Sequence, residues 1–367
     1  MGKTVAHSEA SLGWGGQEIR VFEEMKAMRD RGHRMLLVAQ PHSVIYSKAQ
    51  NARFQVQAMT AERLKYPLSI IKLSQFFKSE SVDVVNTHSS RDGYIAGIAA
   101  RLAGVPLVIR TRHIDVDYPN KFVSRFGFGT IPHVVTTTSQ LIVQRLTKQL
   151  SLNPDTVSCI PTGIDLEQYS SNEPAAAQLR KEFLSGNADQ LVGMVTVLRS
   201  WKGHRIFLEA IARIKSDLPG TRYIIAGEGP MRSLVESWIE ELDLTDRVQL
   251  IGHRDDVPAV LAALDVMVLP SYAHEGIPQI VLQAQASGTP VVGTTAGGIP
   301  EVIEDGATGL LVAPKHAEAL GQAIVKLVRD SELRTSLITQ AREFAQAHHS
   351  LKHMCESTEA IYQQHLN

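Results

Sequence analysis

The sequence predicts an α/β protein of two parallel-sheet domains of the nucleotide-binding type. Three observations predict it. Short apolar runs recur along the chain, and each exits into a polar or glycine-bearing loop that opens a helical segment. The chain begins strand, loop, helix, strand, which is how a nucleotide-binding domain starts. Its 367 residues suffice for two such domains at ~150 residues each. The two halves share this rhythm but little residue identity, and no repeat of fixed period is present.

Composition is that of an ordinary soluble protein, 44% hydrophobic and 20% charged. No apolar run approaches the ~18 residues of a membrane span. The N-terminus lacks the apolar stretch of a signal peptide, and Ala6 stands where myristoylation wants Ser or Thr. Cys159 and Cys355 have no metal-like or redox spacing, so a reducing cytoplasm is expected. Charge is uneven. Met1–Asp165 carries 20 Lys and Arg against 13 Asp and Glu, the remainder 17 against 25. A net +7 beside −8 suits a first half that meets an anionic acceptor or membrane surface, or is the ordinary scatter of charge between halves.

Lys3–His7 reads as a strand, followed by a loop with Gly13, Gly15 and Gly16 and a helix over about 17–31. Its apolar residues Ile19, Phe22, Met25 and Met28 recur at three-residue steps. Met35–Ala39 is the next strand. A dinucleotide fingerprint fails here, because Glu18 occupies the third glycine position and Gln40-Pro41-His42 replaces the expected acid. Phe54–Glu80 is amphipathic and basic, with Leu64, Leu68, Ile71, Phe76 and Phe77 among Arg63, Lys65, Lys72 and Lys78. It reads as a surface helix with a core face; the other reading is a membrane-touching face. Strands follow at Val82–His88, Val105–Arg110, Val134–Ser139 and Val157–Ile160, with helices over 89–102 and 140–150. Thr111-Arg112-His113 stands at a strand end, where open α/β sheets place ligands. Gly, Pro and Asp punctuate the chain near Asp165, and Ser170–Pro174 reads as a linker.

The second half continues with strands at Leu191–Val197, Tyr223–Ala226, Val248–Ile251, Asp265–Pro270, Val291–Gly293 and Gly309–Ala313; the residues beyond look helical to the end. Leu198-Arg199-Ser200-Trp201-Lys202-Gly203 fills one strand-to-helix turn, and Gly227-Glu228-Gly229-Pro230 follows the next strand. After Pro270 comes Ser271–Pro290, in which Pro278 suits the first position of a helix ended by Gly288. Glu275 then sits beside a positive helix end, a place that binds phosphate or sugar oxygens. The plain alternative is a surface Glu that caps the helix.

Glu275 with Gln283 eight residues on resembles the Glu-x7-Glu signature of retaining glycosyltransferases of the GT-B fold, the GT4-like group. Arg199 and Lys202, Gly227–Pro230, and Pro161-Thr162-Gly163-Ile164-Asp165 resemble its other loops, in family order. Gln283 departs from the pattern, since an amide lacks the charge that strengthens a ribose contact. The resemblance implies two Rossmann-like domains whose parallel sheets face across a cleft. The first, 1–165, would bind acceptor and be joined by a final helix over about 345–367; the second, 166–344, would bind a nucleoside diphosphate sugar.

It further implies that Arg199, Lys202, Gly15, Gly16 and Gly229 lie at the donor phosphates, and that Glu275, Gly276, Ile277 and Pro278 lie at its sugar. Gln283 would lie at the ribose, and His253 and Arg254 at the base. His113 would hold the sugar near its reacting carbon; Gln17, Arg112, Tyr118 and the loop through Lys121 would shape the acceptor site. Gly297-Gly298-Ile299-Pro300-Glu301 resembles a further turn of the family, or is a structural helix start. The implied reaction is a retaining, metal-independent transfer of a sugar, from a UDP-sugar by preference, to a glycan or glycolipid hydroxyl in bacterial lipopolysaccharide or surface polysaccharide assembly. No cofactor, metal or nucleic acid is called for. Asp115-Val116-Asp117, the only Asp-x-Asp spacing in question, follows His113 in the first domain. The expected location is cytoplasmic, with peripheral contact at the inner face of the membrane. The rival readings are a weakly catalytic nucleotide-sugar binding protein and a nucleotide-sugar epimerase on the same fold, with a dehydrogenase ranked last.

Overall fold

The structure is a computed structural model that describes residues 2–118, 121–170, 173–184 and 188–366. The chain divides into two compact units, Met1–Gly163 with Leu351–Asn367, and Ile164–Ser350.

The first unit runs β1 (Thr4–Glu9), α1 (Gly16–Asp30), β2 (Arg34–Ala39), α2 (Val44–Asn51), β3 (Gln55–Ala58), α3 (Tyr66–Ser79), β4 (Val84–Thr87), α4 (Ser90–Ala103), β5 (Leu107–Arg112), α5 (Lys121–Gly129), β6 (Val134–Thr137), α6 (Gln140–Leu150) and β7 (Val157–Cys159). The strands form one parallel sheet of order β3-β2-β1-β4-β5-β6-β7. Both faces are covered, which is why the strands are apolar almost throughout. Val5, Leu37, Val84 and Leu107 pack on Val21, Met25 and Met28 of α1. Their neighbours Ala6, Val38, Val85 and Val108 pack on the other face with Leu73, Phe77 and Ile95. Alternation of side chains along each strand divides the core in this way.

The second unit runs α7 (Glu173–Phe183), β8 (Gln190–Val195), α8 (His204–Ile214), β9 (Thr221–Ala226), α9 (Arg232–Glu241), β10 (Val248–Gly252), α10 (Val257–Ala263), β11 (Val266–Leu269), α11 (Gln279–Ser287), β12 (Val291–Thr294), β13 (Leu310–Val312), α12 (Ala317–Arg329) and α13 (Ser331–His348). Its parallel sheet has the order β10-β9-β8-β11-β12-β13. The order reverses between β8 and β11, the switch point at which open sheets collect ligands. The last helix, α14 (Leu351–His365), belongs to the first unit. It buries Met354, Cys355, Ile361 and Tyr362 in the core that α1 covers.

Several expectations need correction. Ser170–Pro174 is not a linker throughout, because α7 begins at Glu173; residues 171–172 lie outside the described set. Pro278 precedes α11 rather than opening it, with φ −75° and ψ 109°. Phe54–Glu80 is not one helix: it holds β3, a single 3-10 turn at Arg63–Lys65, and α3. Only part of its apolar set is core. Leu73 and Phe77 are buried, whereas Leu64, Leu68 and Ile71 are 97%, 61% and 55% exposed. In α1 the buried face carries Val21, Met25 and Met28 together with Arg20 and Glu24, charges that the apolar spacing alone does not place inside.

Candidate functional site

In the second unit the residues with chemistry sit in loops that leave β8, β9, β11 and β12 at their carboxyl ends. The turn after β8 is drawn tight by Gly203. Its φ is +81°, and a Cβ there would lie 2.0 Å from the Pro270 carbonyl oxygen. Lys202 is thereby held against the loop after β11, where its Nζ donates to Glu275 Oε1 at 2.7 Å. The Lys202 and Glu275 side chains are 18% and 7% exposed, so the pair is largely withdrawn from water. Two loops are pinned by further contacts. Tyr272 N–H donates to the Trp201 carbonyl at 2.9 Å, and Trp201 meets the His274 ring edge-on at 5.5 Å. His274 adopts φ +58°, a strained backbone for a non-glycine residue, immediately before Glu275. On the far side Gly298 N–H donates to the Glu275 carbonyl, and Gly297, at φ +55°, leaves a Cβ only 2.3 Å from that oxygen. Glu275 is therefore fixed on three sides.

Arg199 is exposed, with its guanidinium 5.3 Å from the centroid of the Trp201 ring. His204, the first residue of α8, is buried, and burial with the nearby Lys202 charge pushes its pKa down to about 4. Gly229 lies in the loop between β9 and α9. Ile277 packs its side chain into the apolar core, so only its backbone remains for a ligand. Gly276 and Pro278 are buried beside it, and Gln283 is buried within α11. His253 is exposed, 3.4 Å from Asp255. Arg254 donates to Asp256 through two hydrogen bonds of 2.7 and 2.6 Å. Glu301 ends a single 3-10 turn over Ile299–Glu301.

In the first unit Gly15 precedes α1 with φ −144°, and a Cβ there would meet its nearest atom at an ordinary 3.5 Å. The protein itself does not require glycine at this point, in contrast to Gly203. Gly15 N–H donates to Glu18, and Gln17 Nε2 donates to Glu9 Oε2 at 2.5 Å. Glu9 is fully buried; burial first, and the Asp92 carboxylate second, raise its pKa to about 8.

His113 follows β5 and is 7% exposed. Its Nε2 lies 2.9 Å from His88 Nδ1, and His88 Nε2 lies 2.7 Å from His7 Nδ1. These rings come from the ends of adjacent strands β5, β4 and β1, and they stand in file rather than converging on a point. Asp92 accepts from Ser8 Oγ and from the His88 N–H, both at 2.8 Å, and so holds the β1 and β4 ends together. His7 and His88 are functional candidates that the sequence reading did not single out.

The expected acceptor residues are less free than their positions suggest. Arg112 is buried, donates to the Ile114 carbonyl at 3.1 Å and lies over Tyr118. Tyr118 packs edge-on against Phe128 within an apolar cluster. Both Asp115 and Asp117 are held by Arg145 at 2.5 Å. Of the expected acceptor loop, Pro119 and Asn120 lie outside the described residues.

Two parallel-sheet Rossmann-like units, each with its polar residues at strand ends, define the GT-B class of architecture. Comparison with known proteins agrees. Residues 14–168 match Glycosyltransferase Family 4, and residues 176–344 match Glycosyl transferases group 1. The chain is 31% identical over 281 residues to the UDP-Gal:alpha-D-GlcNAc-diphosphoundecaprenol alpha-1,3-galactosyltransferase of Escherichia coli, covering 72% of this chain and 71% of that one. It is 25% identical over 362 residues to the N-acetyl-alpha-D-glucosaminyl L-malate synthase of Bacillus anthracis, covering 95% and 93%. Anabaena Alr3699/HepE, solved with UDP and glucose, superposes with a TM-score of 0.88 at 21% identity over 99% of this chain and 100% of that one. This chain belongs to the group 1, family 4 glycosyltransferases.

Proposed function

We propose that the chain is a retaining, metal-independent glycosyltransferase that uses a nucleoside diphosphate sugar, a UDP-sugar by preference, and a hydroxyl of a glycan or lipid-linked acceptor. Lipopolysaccharide or surface polysaccharide assembly is the proposed setting. The Lys202–Glu275 pair carries this reading. It places a cation and a carboxylate side by side, largely dry, at neighbouring strand exits of one Rossmann-like unit. When a nucleoside diphosphate leaves, charge grows on its phosphate. Lys202 and the exposed Arg199 are suited to stabilise it, in a site where little reorganisation is required. Glu275 is suited to accept hydrogen bonds from sugar hydroxyls while Lys202 turns to phosphate. His113 is assigned to the reacting end of the sugar, and Gly15 and Gly16 to close backbone approach. The names of relatives support the donor and acceptor classes: one uses UDP-Gal and a diphosphoundecaprenol acceptor, and solved neighbours hold UDP and UDP-glucose.

A peripheral membrane contact is part of the proposal. Leu64, Leu68 and Ile71 form an outward apolar stripe flanked by Arg63, Lys65 and Lys72, a pattern that suits an anionic bilayer surface. No helix among the described residues is long and apolar enough to cross a membrane.

The test is calorimetric titration with UDP, GDP and ADP, with and without magnesium. The expected result is UDP binding that survives EDTA and is lost in Arg199→Ala, followed by product NMR showing that the donor's anomeric configuration is kept. Tight UDP binding without transfer to any acceptor would favour a binding protein instead. The amide of Gln283 at the second signature position is the observation that keeps that reading alive.

A further inference from the structure

The three imidazoles of the first unit impose a constraint on one another. Each neutral ring has one N–H and one lone pair, and each contact in the file needs one of each. His7 Nδ1 faces His88 Nε2 at 2.7 Å, and His88 Nδ1 faces His113 Nε2 at 2.9 Å. The sense of donation therefore runs the same way through both contacts. Either all three rings carry hydrogen on Nδ1 or all three carry it on Nε2. In both cases Nε2 of His113 is consumed, and Nδ1 is the ring nitrogen left to meet a ligand.

The inner end of the file decides between the two. His7 is fully buried and its Nε2 has no hydrogen-bond partner. A buried N–H without an acceptor is rarer and costlier than a buried lone pair without a donor. The charged groups acting on His7 are Glu24 and Arg20, themselves 3.9 Å apart, and Arg20 Nε and Nη1 are also buried donors without a partner. Another N–H in that region would add a third such donor, so the lone pair belongs at His7 Nε2.

We propose that His7 and His88 are positioning residues: they set His113 as a neutral hydrogen-bond donor whose Nδ1–H, and not its Nε2, is presented to a ligand oxygen. All three pKa values are lowered by burial first; the Glu24 carboxylate opposes this at His7, while Arg20 adds to the lowering at each ring and Arg112 at His113, which agrees with uncharged rings. The identity of the ligand oxygen rests on the reading of His113 given above; the tautomer does not.

The test is imidazole 15N–1H correlation NMR at pH 7.5 on the full chain labelled at histidine, with signals assigned by single His→Gln variants. The expected result is hydrogen on Nδ1 of His7, His88 and His113. Hydrogen on Nε2 of His113, or a charged ring, would overturn the proposal. His88→Asp, whose carboxylate can only accept where His88 Nδ1 donated, should place hydrogen on Nε2 of His113. His88→Asn, whose side-chain N–H can replace the donor, should keep Nε2 free of hydrogen; no change at His113 in His88→Asp would also overturn the proposal. If the aspartate variant does not fold, the wild-type tautomers still decide. UDP-glucose is the ligand probe. It should shift the His113 Nδ1 signal, and His113→Leu should weaken UDP-glucose relative to UDP by about fivefold, the worth of one hydrogen bond near 1 kcal/mol. Tautomers as stated with no response to UDP-glucose would sink the functional reading of His113 and leave the file's control of it standing.

Discussion

Lys202 and Glu275 depend on each other. Removing one charge of a largely buried pair strands the other, at a cost of about 3–5 kcal/mol. Lys202→Ala should therefore lower the stability of the second unit by an amount near this, read by chemical denaturation as well as by lost turnover. Glu275→Gln keeps the shape and should fall mainly in turnover; a large loss of stability there would mean that the carboxylate is structural. His204 gives a pH signature. Its pKa falls from 6.5 unfolded to about 4 folded, so between these values the unfolded chain binds more protons. Its contribution to stability is full above pH 6.5 and is lost as pH falls toward 4. His204→Gln should flatten the thermal stability profile of the second unit over that window; an unchanged slope would assign the loss to other groups.

Glycines separate two kinds of loop. Gly203 and Gly297 are demanded by the fold, because a Cβ would strike a backbone oxygen and φ is positive. Gly203→Ala and Gly297→Ala should each cost more than about 1 kcal/mol and lower the melting temperature. Gly15→Ala meets only an ordinary contact, so it should leave the melting temperature nearly unchanged while weakening UDP-glucose binding. Equal stability losses at all three sites would remove the case for a ligand at Gly15. In the 3-10 turn and α3 that follows it, replacing Leu64 and Leu68 by Ser should reduce sedimentation with phosphatidylglycerol vesicles without unfolding the unit, since neither side chain is buried. Binding equal to wild type would set the membrane reading aside.

The strands were legible because each is an apolar run ending in a polar loop, and their observed ends fall within about two residues of the expected ones. β3 was missed, since Gln55-Val56-Gln57-Ala58 is a half-exposed edge with weak apolar contrast, and α2 was missed, since its eight residues bury only Ile45 and Ala49. The Lys202–Glu275 pair joins positions 73 apart in sequence, and no local spacing could couple them. His7 and His88 lay in segments already read as strands. Their meeting with His113 follows from the strand order β1-β4-β5, which single-sequence periodicity does not supply.

At the scale of the whole molecule, the two units need not fail together. Helix α14 contributes Met354, Ile361 and Tyr362 to the first unit's core, and fully burying side chains of this size stabilises by about 1.5–3 kcal/mol each. Truncation after Ser350 should unfold or strongly destabilise the first unit while UDP binding by the second persists. Loss of both together would show that the second unit cannot stand alone.

The return of the chain's end to its beginning has a consequence during synthesis. All seven strands of the first sheet are complete by Cys159, but the helix that covers part of one face starts at Leu351. At roughly 5–20 residues per second, translation of the intervening segment takes about 10–40 s. Throughout that interval the strands of the first sheet wait without their last helix, with an apolar strip and the Arg20–Glu24 pair uncovered. Arg20 and Glu24, buried once the last helix is in place, are open to water until then, and a charged pair within an apolar strip should keep the waiting surface hydrated.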